Sequence, residues 1–247
     1  MLKLVKDFIK TKPKLYDFFN EIRTLDDELE LWIDKYSQSR NRPINFIQVG
    51  ASDGLRWDPI RKFIIRDNWN GVLIEPLKPV YEMLRSNYSY VKNNNLKFEN
   101  CAISDKGGSI DFWSYTDQFL SSLSIEDRLF YLRKSSLHKT QVEKSLTGID
   151  NYERCITCYE TPCLPLENII DRYFPGEIID LIFIDAEGFD DTVIRTIDFK
   201  KCTPKTIIYE NHNLGSRNEI IENYMLENGY SIQKIGGDTV AELNPNN

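Results

Sequence analysis

Short apolar runs alternate along the chain with segments in which apolar residues recur at helical spacing. The runs 44–49, 71–75 and 178–184 are rich in Ile, Val, Leu and Phe and hold few polar residues. Strands in the middle of a parallel sheet are buried on both faces, so their sequences are almost continuously apolar. A predicted helix follows each run, and this alternation predicts an α/β fold with a doubly wound, mostly parallel sheet.

The boundaries of the other elements follow from the same periodicity and from turn residues. A helix that Gly229 ends is predicted to begin with a capping box of Ser216 and Glu219. Two strands that flank residues 236–238 predict an antiparallel hairpin at the C-terminus. The remaining predicted helices are 14–38, 56–67, 79–90, 125–146, 164–174 and 190–199, and the remaining predicted strands are 96–103, 109–113, 205–209, 230–235 and 239–243.

The first apolar run ends in a turn bounded by two glycines, and the second run ends in an acid. Ligands of open α/β sheets bind just outside the carboxyl ends of such strands, and glycines let a ligand approach the main chain closely. An acid at the end of the second strand accepts hydrogen bonds from ribose hydroxyls in these folds. The sequence therefore predicts a nucleoside ligand. The predicted contacts are Gly50, Ala51, Ser52, Asp53, Gly54, Glu75 and Pro76.

The residues of the turn favour S-adenosylmethionine over NAD as the nucleoside ligand. The dinucleotide fingerprint G-x-G-x-x-G leads a pyrophosphate to a helix N-terminus. Its second and third glycines are missing here, and Asp53 would repel a phosphate group. S-adenosylmethionine has no phosphate and carries a sulfonium and an ammonium group, so a carboxylate in the turn suits it. An NAD-linked oxidoreductase stays as the weaker alternative.

Four segments form a further pattern: Phe46–Gly54, Ile74–Pro76, Ile184–Asp190 and Glu210–His212. Together they resemble the FkbM-type family of S-adenosylmethionine-dependent methyltransferases. The resemblance covers roughly residues 44–243, and the Asp-x-Glu-Gly segment that begins at Asp185 is its most specific part. The family usually has Asp where this chain has Gln48. That departure supports an alternative, a nucleoside-binding module that has lost catalysis.

The resemblance implies a Rossmann-like class I methyltransferase sheet with a C-terminal antiparallel hairpin, and S-adenosylmethionine as the cofactor. It also implies O-methylation of small molecules, with sugar and polyketide-like hydroxyls among the acceptors. We expect a sugar or glycan-like acceptor. In the family, residues at the end of the third strand flank the adenine ring. The matching residues, expected beside that ring here, are Asn100, Cys101 and Ala102.

Methyl transfer to a hydroxyl requires an acceptor held close to the methyl group and a base for the hydroxyl proton. His212 is favoured as the base because imidazole titrates near neutral pH. Asp185 is also expected to contact the cofactor. As an alternative, Asp185 and Glu187 are structural acids that accept main-chain N–H bonds. The candidate catalytic residues, all at predicted strand ends, are Asp185, Glu187, Glu210 and His212.

The same four side chains supply hard oxygen ligands and one imidazole, which suit Mg²⁺ or Mn²⁺. A divalent metal that acidifies a diol therefore stays open as an alternative, although we do not expect it. Cys155, Cys158 and Cys163 form a C-x2-C-x4-C pattern. Structural zinc needs four ligands, and no fourth candidate has a recognisable spacing, so we expect reduced thiols.

The predicted organisation is an N-terminal helical extension, residues 1–43, followed by a methyltransferase domain, residues 44–247. The segment 114–160 is too long for a plain connection. We interpret it as a substrate-recognition insertion, with a peripheral helix as the alternative. The helix predicted over 14–38 has a broad apolar face that suits packing on the sheet. A cap over the pocket and a homodimer contact are the alternatives for that face.

The charge balance is that of an acidic protein, with 31 Lys and Arg, 38 Asp and Glu, and a net charge of −7. Nucleic acid is therefore not expected as a partner. No apolar run approaches the ~20 residues of a membrane span. Met1–Lys10 interleaves charged and apolar residues, unlike a signal peptide. We expect a cytoplasmic protein whose partner is a small-molecule hydroxyl acceptor.

Overall fold

The structure, a computed structural model, describes residues 12–22, 25 and 27–245. The segment Met1–Lys10, on which the prediction about a signal peptide rests, lies outside the described residues. The helices are α1 (Pro13–Ile22), α2 (Glu28–Gln38), α3 (Arg61–Arg66), α4 (Lys78–Tyr88), α5 (Asp117–Ser121), α6 (Ile125–Arg133), α7 (Lys139–Ser145), α8 (Leu166–Tyr173), α9 (Asp190–Arg195) and α10 (Arg217–Glu227). The strands are β1 (Asn45–Val49), β2 (Asn70–Ile74), β3 (Leu96–Glu99), β4 (Ala102–Ile103), β5 (Gly108–Tyr115), β6 (Ile156–Leu164), β7 (Leu181–Ile184), β8 (Thr206–Glu210), β9 (Tyr230–Ile235) and β10 (Asp238–Leu243).

The described chain is built around a seven-stranded sheet in the order β3-β2-β1-β7-β8-β10-β9. The first five strands in this order pair in parallel, whereas β10 is antiparallel to both β8 and β9. The strand order reverses between β1 and β7, and ligands of doubly wound sheets bind at such a switch point. The mostly parallel sheet and the terminal hairpin confirm the predicted fold class.

Apolar side chains fill both sides of this sheet. One cluster includes Ile47 and Ile182 and packs under α8, α9 and α10. The other includes Phe46 and Leu73 and packs under α2, α3 and α4. Neighbouring residues of a strand point to opposite faces, which places Phe46 and Ile47 in different clusters. All residues of β1 and β7 are buried, and this explains why their sequences show no polar alternation.

The prediction of one strand over 96–103 is wrong, because the chain changes sheets at Asn100. β3 pairs with β2 in the main sheet, while β4 pairs with β6 in a separate three-stranded sheet of order β4-β6-β5. The Asn100 side chain donates to the main-chain oxygens of Glu75 and Pro76, at 2.9 and 3.0 Å. These bonds hold the end of β3 against the end of β2 and direct the following residues out of the main sheet.

The single helix predicted over 14–38 is also wrong, because Asp27 begins a new helix. The main chain of Asp27 is extended, and the Asp27 side chain accepts the N–H groups of Leu29 and Glu30. The resulting α2 buries Leu29 and Ile33 in the core beside the sheet, as the packing interpretation predicts. The homodimer contact through the N-terminal helices stays a prediction.

Two helix starts differ from the sequence-based expectation. The predicted helix 56–67 is shorter and begins at Arg61, because Asp58 Oδ1 accepts the N–H groups of Ile60 and Arg61 and holds a turn there. The predicted capping box at Ser216 is wrong, since its main chain is already helical and its side chain makes no capping bond. Within the described ranges, no helix is long and apolar enough to cross a membrane.

The segment 114–160 folds as a layer of α5, α6, α7 and a 3₁₀ turn beside the small sheet. The single helix predicted over 125–146 is wrong, because residues 134–138 interrupt it. Ser136 pairs there with Trp113 through two main-chain hydrogen bonds, at 2.9 and 3.0 Å. Tyr115 and Val142 belong to a small apolar core of this layer. The insertion therefore packs as a unit attached to β5 and β6.

Candidate active site

A cavity opens at the carboxyl edge of the parallel strands, at the switch point between β1 and β7. The space free of protein atoms is about 650 Å³, counting the part that opens to solvent. Predicted cofactor contacts that line the cavity are Gly50, Ser52, Glu75, Pro76, Cys101, Ala102 and Asp185, and the predicted catalytic residue Glu187 lines it as well.

The glycine turn after β1 passes very close to the end of β7. A Cβ atom on Gly50 would lie 1.9 Å from the main-chain oxygen of Asp185. The φ angle of Gly50 is +79°, which glycine adopts readily and other residues avoid. The N–H groups of Gly50 and Ala51 donate to the Ile74 oxygen at 3.0 and 2.9 Å. Glycine is required here because three strand ends converge at one point.

Glu75 ends β2 and is buried against the turn. Its Oε2 accepts the N–H of Ser52 at 3.0 Å, and its Oε1 accepts the N–H of Leu77 at 2.9 Å. Burial raises the pKa of Glu75 to about 7, the two N–H bonds oppose this, and the charges of Asp185 and Asp53 add to the increase. A carboxylate oxygen with one N–H bond keeps capacity for a second donor. Glu75 therefore anchors the turn and still offers acceptors at the cavity wall.

Some predicted cofactor contacts lie behind the cavity wall, namely Ala51, Asp53, Gly54 and Asn100. Asp53 Oδ1 accepts the N–H groups of Leu55 and Arg56, and Oδ2 pairs with the Arg56 guanidinium at 2.5 Å. Asp53 thus stabilises its own turn and does not present its charge to a ligand. Asn100 shapes the wall indirectly, through its bonds to the main chain of Glu75 and Pro76.

Carboxyl groups from several elements surround Asp185 at the end of β7. Burial raises the pKa of Glu187 to about 7, that of Glu210 to about 7 and that of Asp238 to about 6. In all three groups the charge of Asp185 is the next cause of the increase. Asp185 Oδ1 is buried and has no hydrogen-bond partner among the described residues. This arrangement favours a positively charged ligand, because such a ligand would stabilise the ionised carboxylates.

Asp190 accepts main-chain N–H bonds at the strand ends, the structural role considered above for Asp185 and Glu187. Asp190 was not singled out in the sequence analysis. Asp190 is fully buried at the start of α9. Its carboxylate accepts the N–H groups of Ala186, Gly188 and Glu210, at 3.5, 3.3 and 3.2 Å. Burial raises the pKa of Asp190 well above its ordinary value. Asp190 ties the loop after β7 to the end of β8 and leaves the other acids available.

His212 and Glu210 form a pair beside the cavity. His212 Nε2 lies 3.3 Å from Glu210 Oε1, and the imidazole is 57% exposed. Asn213 Nδ2 donates to Glu210 at 2.5 Å and to Glu187 at 3.4 Å, linking the pair to the cavity wall. Neither Glu210 nor His212 lines the cavity itself. A carboxylate next to an imidazole orients the ring.

The insertion provides one wall of the cavity. Lys134 Nζ donates to both carboxylate oxygens of Glu187, at 2.8 and 2.9 Å. Arg133 Nη2 lies 3.5 Å from Asp185 Oδ2. Sequence analysis did not identify these cations, because nothing distinguishes them from other basic residues of a charged helix. Substrate recognition by the insertion stays a prediction. The cavity residues from this region and from β5 are Phe112, Leu132, Arg133, Ser135 and Leu137.

The described residues contain no group of three or more His, Cys, Asp or Glu side chains arranged to hold a metal ion. Two of the predicted alternative metal ligands, Asp185 and Glu187, pair instead with Arg133 and Lys134. The thiols of Cys155, Cys158 and Cys163 are free. Burial raises the pKa values of Cys158 and Cys163, so these two thiols are protonated at neutral pH.

Comparison with known proteins matches residues 48–232 to the methyltransferase FkbM domain. None of the curated proteins matches the chain. Among solved structures, an O-methyltransferase from Bacillus cereus in complex with SAH is 12% identical, with a TM-score of 0.48, and the alignment covers 96% of this chain and 90% of that one. Methyltransferase FkbM from Methylobacillus flagellatus KT is 14% identical, with a TM-score of 0.49, and the alignment covers 94% of this chain and 50% of that one.

The family match spans well over half of the chain and includes the carboxyl end of β1 and all of β2, β7 and β8. It contains the glycine turn, Glu75 and the segment that begins at Asp185, which are the residues that carry the resemblance seen in the sequence. The match confirms that resemblance. The chain belongs to the FkbM family of S-adenosylmethionine-dependent methyltransferases.

Proposed function

We propose that this chain transfers the methyl group of S-adenosylmethionine to a hydroxyl of a small molecule, a sugar or glycan-like acceptor. The observation that carries the proposal is the cluster of carboxyl groups around Asp185, beside the glycine turn and Glu75. S-adenosylmethionine is a cation at its sulfur. Carboxylates attract that charge and repel the phosphates of NAD. The net charge of −7 also disfavours nucleic acid as the acceptor.

The residues of the cavity suit the parts of this cofactor. We assign the ribose hydroxyls to Glu75, whose carboxylate keeps acceptor capacity. The adenine is assigned to the apolar wall that includes Cys101 and Ala102. The methionine part is assigned to Gly50 and to Asp185, whose Oδ1 is a buried acceptor without a hydrogen-bond partner among the described residues.

The cofactor supplies an electrophilic methyl group, and the protein supplies positioning and proton removal. Glu210 holds the His212 imidazole at Nε2, which leaves Nδ1 to accept the hydroxyl proton once the acceptor is bound. Glu187 is fixed by Lys134, so its carboxylate is positioned to accept a hydrogen bond from the acceptor. Leu132, Leu137 and Phe112 add apolar surface to the cavity wall.

Ligand-induced thermal stabilisation tests the cofactor assignment. A ligand at about 100 times its dissociation constant adds about 2.7 kcal/mol to the free energy of unfolding. We expect stabilisation by S-adenosylmethionine and S-adenosylhomocysteine and none by NAD. Stabilisation by NAD alone would favour an oxidoreductase. Tight binding of S-adenosylhomocysteine, with no transfer of labelled methyl from S-adenosylmethionine to any hydroxyl compound, would favour a module without catalysis.

One activity assay distinguishes His212 as the general base from activation of the hydroxyl by a divalent metal ion. If His212 is the base, His212→Ala lowers turnover by roughly 10²–10⁴-fold and leaves S-adenosylhomocysteine affinity unchanged. Chelation by EDTA then has no effect on the wild type. If a divalent metal acts instead, EDTA abolishes activity, Mg²⁺ or Mn²⁺ restores it, and Asp185→Asn is as damaging as the loss of His212.

A further inference from the structure

A second groove adjoins the cofactor cavity and has a larger atom-free volume. The groove lies between the start of α2, the loop that precedes α3 and the start of β10, and its atom-free space is about 1,240 Å³ including the part open to solvent. Arg133 lines both spaces. Its guanidinium lies 3.5 Å from Asp185 in the cavity and 5.5 Å from the centre of the Trp57 ring in the groove. One side chain therefore joins the two spaces.

Trp57 adopts a main-chain conformation that is unfavourable for a bulky residue. Its φ angle is +57°, and the left-handed region costs a residue with a Cβ atom free energy unless its surroundings enforce it. The other non-glycine residues with positive φ in the described chain are two asparagines, which tolerate it, and Ser52 and Glu187. Ser52 and Glu187 line the cofactor cavity, and Trp57 lines the groove. Strain of this kind is concentrated where a side chain is held for binding.

The strain places a large aromatic ring at the surface. Trp57 is 44% exposed despite its contact with Arg133. The face of an aromatic ring carries partial negative charge and attracts polarised hydrogen atoms. The flat side of a pyranose ring presents C–H groups of this kind, and its rim presents hydroxyls. An exposed indole beside hydrogen-bond acceptors therefore suits a sugar.

The charged residues of the groove define which sugars fit. Carboxyl groups outnumber cations among the lining residues: Asp27, Glu30, Asp58 and Asp238 stand against Lys62 and Arg133. Asp58 caps α3 with Oδ1 and buries Oδ2, and Asp27 caps α2 with Oδ1. The second oxygen of Asp27 and the carboxylate of Asp238 are acceptors for hydroxyl groups. Carboxylates repel phosphate, sulfate and carboxylate groups on a ligand. The groove thus suits a sugar without negative charge.

The groove also reaches the groups that act on a hydroxyl. Asp238 lines the groove and is within electrostatic reach of both Asp185 and His212. A ring that rests on Trp57 therefore lies beside the acids of the cavity edge, where the methyl group of the cofactor is expected. The two spaces provide one site each for a methyl donor and an acceptor.

We propose that this groove is the acceptor site and that it binds an uncharged sugar residue, with Trp57 as the stacking platform and Asp238 and Arg133 as hydrogen-bonding partners. The inference rests on the proposed methyl-transfer function and adds to it the location of the acceptor and its charge class. Nothing in it depends on which of His212 and a metal activates the hydroxyl.

The substitution Trp57→Gly tests the platform, because glycine keeps the main-chain conformation and removes only the ring. We expect the KM for a methyl glycoside to rise roughly tenfold. The dissociation constant of S-adenosylhomocysteine should not change, and the melting temperature should stay equal or rise because strain is relieved. The matched control is Phe130→Ala, which removes an aromatic side chain of similar exposure, 47%, outside both spaces. An unchanged KM in Trp57→Gly, or a loss of stability together with cofactor affinity, overturns the proposal.

The charge class is tested with labelled S-adenosylmethionine and two sets of acceptors. One set contains the methyl glycosides of glucose, galactose, mannose and rhamnose, and the other contains the phosphate esters and uronic acids of the same series. We expect transfer to the neutral set only, and Asp238→Asn should lower it. Preferred transfer to the anionic set, or no transfer to any neutral glycoside by a protein that binds S-adenosylhomocysteine, overturns the proposal. Failure to bind S-adenosylhomocysteine at all would instead overturn the proposed function.

Discussion

At the scale of single residues, Gly50 is the position where the approach of two strand ends is closest. A Cβ atom there meets the Asp185 oxygen at 1.9 Å. Gly50→Ala should therefore destabilise the fold by more than the conformational cost of a positive φ. Gly176 is the matched control, since its φ is +73° and a Cβ atom there meets nothing within 4 Å. We expect Gly50→Ala to cost roughly 1–3 kcal/mol more than Gly176→Ala in urea unfolding. Equal costs would contradict the close approach.

Glu75 makes a prediction about the pH dependence of stability. Its folded pKa is about 7 because of burial, whereas glutamate in an unfolded chain titrates near 4.3. Between these pH values the folded protein retains a proton that the unfolded chain has released, so stability falls as the pH rises. In the ligand-free wild type, the free energy of unfolding should fall between pH 5 and pH 8. In Glu75→Gln this fall should be smaller by roughly 1–3 kcal/mol, because the titrating group is gone.

Urea unfolding at the two pH values measures this difference, and Glu82→Gln is the control because Glu82 is an exposed glutamate of α4. The same Glu75→Gln variant should bind S-adenosylhomocysteine more weakly, by roughly 1.5–3 kcal/mol, since it lacks the charged acceptor for the ribose. Parallel stability curves for wild type and variant would show that Glu75 is not protonated in the folded state.

At the scale of elements, the insertion is held over the cavity by a small number of contacts. Lys134 binds Glu187 through both carboxylate oxygens, and Ser136 donates to the Glu187 main-chain oxygen at 3.3 Å. The break between α6 and α7 is what brings both residues to Glu187. A continuous helix over 125–146 would have carried the chain past this point.

Lys134→Met should therefore loosen α6 and α7 relative to the main sheet. The pair is mostly buried, with side-chain exposures of 27% for Lys134 and 9% for Glu187. Its removal should therefore cost more free energy than the removal of a surface ion pair. We expect amide hydrogen exchange in residues 125–145 to become roughly tenfold faster, with the strands of the main sheet unchanged. Lys144→Met is the control, because Lys144 is an exposed lysine of α7. Equal exchange in the two variants would show that the contact does not hold the insertion.

At the scale of the whole molecule, the acid cluster exists because β7, β8 and β10 end or begin at one edge of the sheet. Asp185, Glu210 and Asp238 lie far apart in the sequence and are brought together by the pairing of β8 with β7 and β10. Part of this cluster is protonated at neutral pH, since burial raises the pKa values of Glu187 and Glu210 to about 7. A bound cation would favour the ionised forms.

The affinity of S-adenosylmethionine relative to S-adenosylhomocysteine should therefore depend on pH. Only the former has a sulfonium charge, and carboxylates attract that charge once they are ionised. We expect the ratio of the two dissociation constants to shift in favour of S-adenosylmethionine by roughly tenfold between pH 6 and pH 8, the effect of about one pKa unit. Competition calorimetry measures the ratio, and Asp185→Asn should flatten its pH dependence. A ratio that is constant with pH would contradict the role of the cluster.

Features that depend on local chemistry can be predicted from the sequence. A strand buried on both faces is mostly apolar, so β7 and, despite Asn45 and Gln48, β1 follow from the sequence as apolar runs. A turn with positive φ favours glycine, and an acid at a strand end points to the ligand edge, so Gly50 and Glu75 follow from the sequence. The C-terminal hairpin was visible for the same kind of reason, since its turn residues lie between two strand-like segments.

Features that depend on pairing between distant segments follow from the three-dimensional fold. The strand at 96–103 divides because β4 pairs with β6, and the helix at 125–146 divides because Ser136 pairs with Trp113. Local propensity contains no information about either partner. The direction of a loop side chain is likewise set by its neighbours, and for this reason Asp53 binds its own turn while Arg133 and Lys134 reach the acids of the cavity edge.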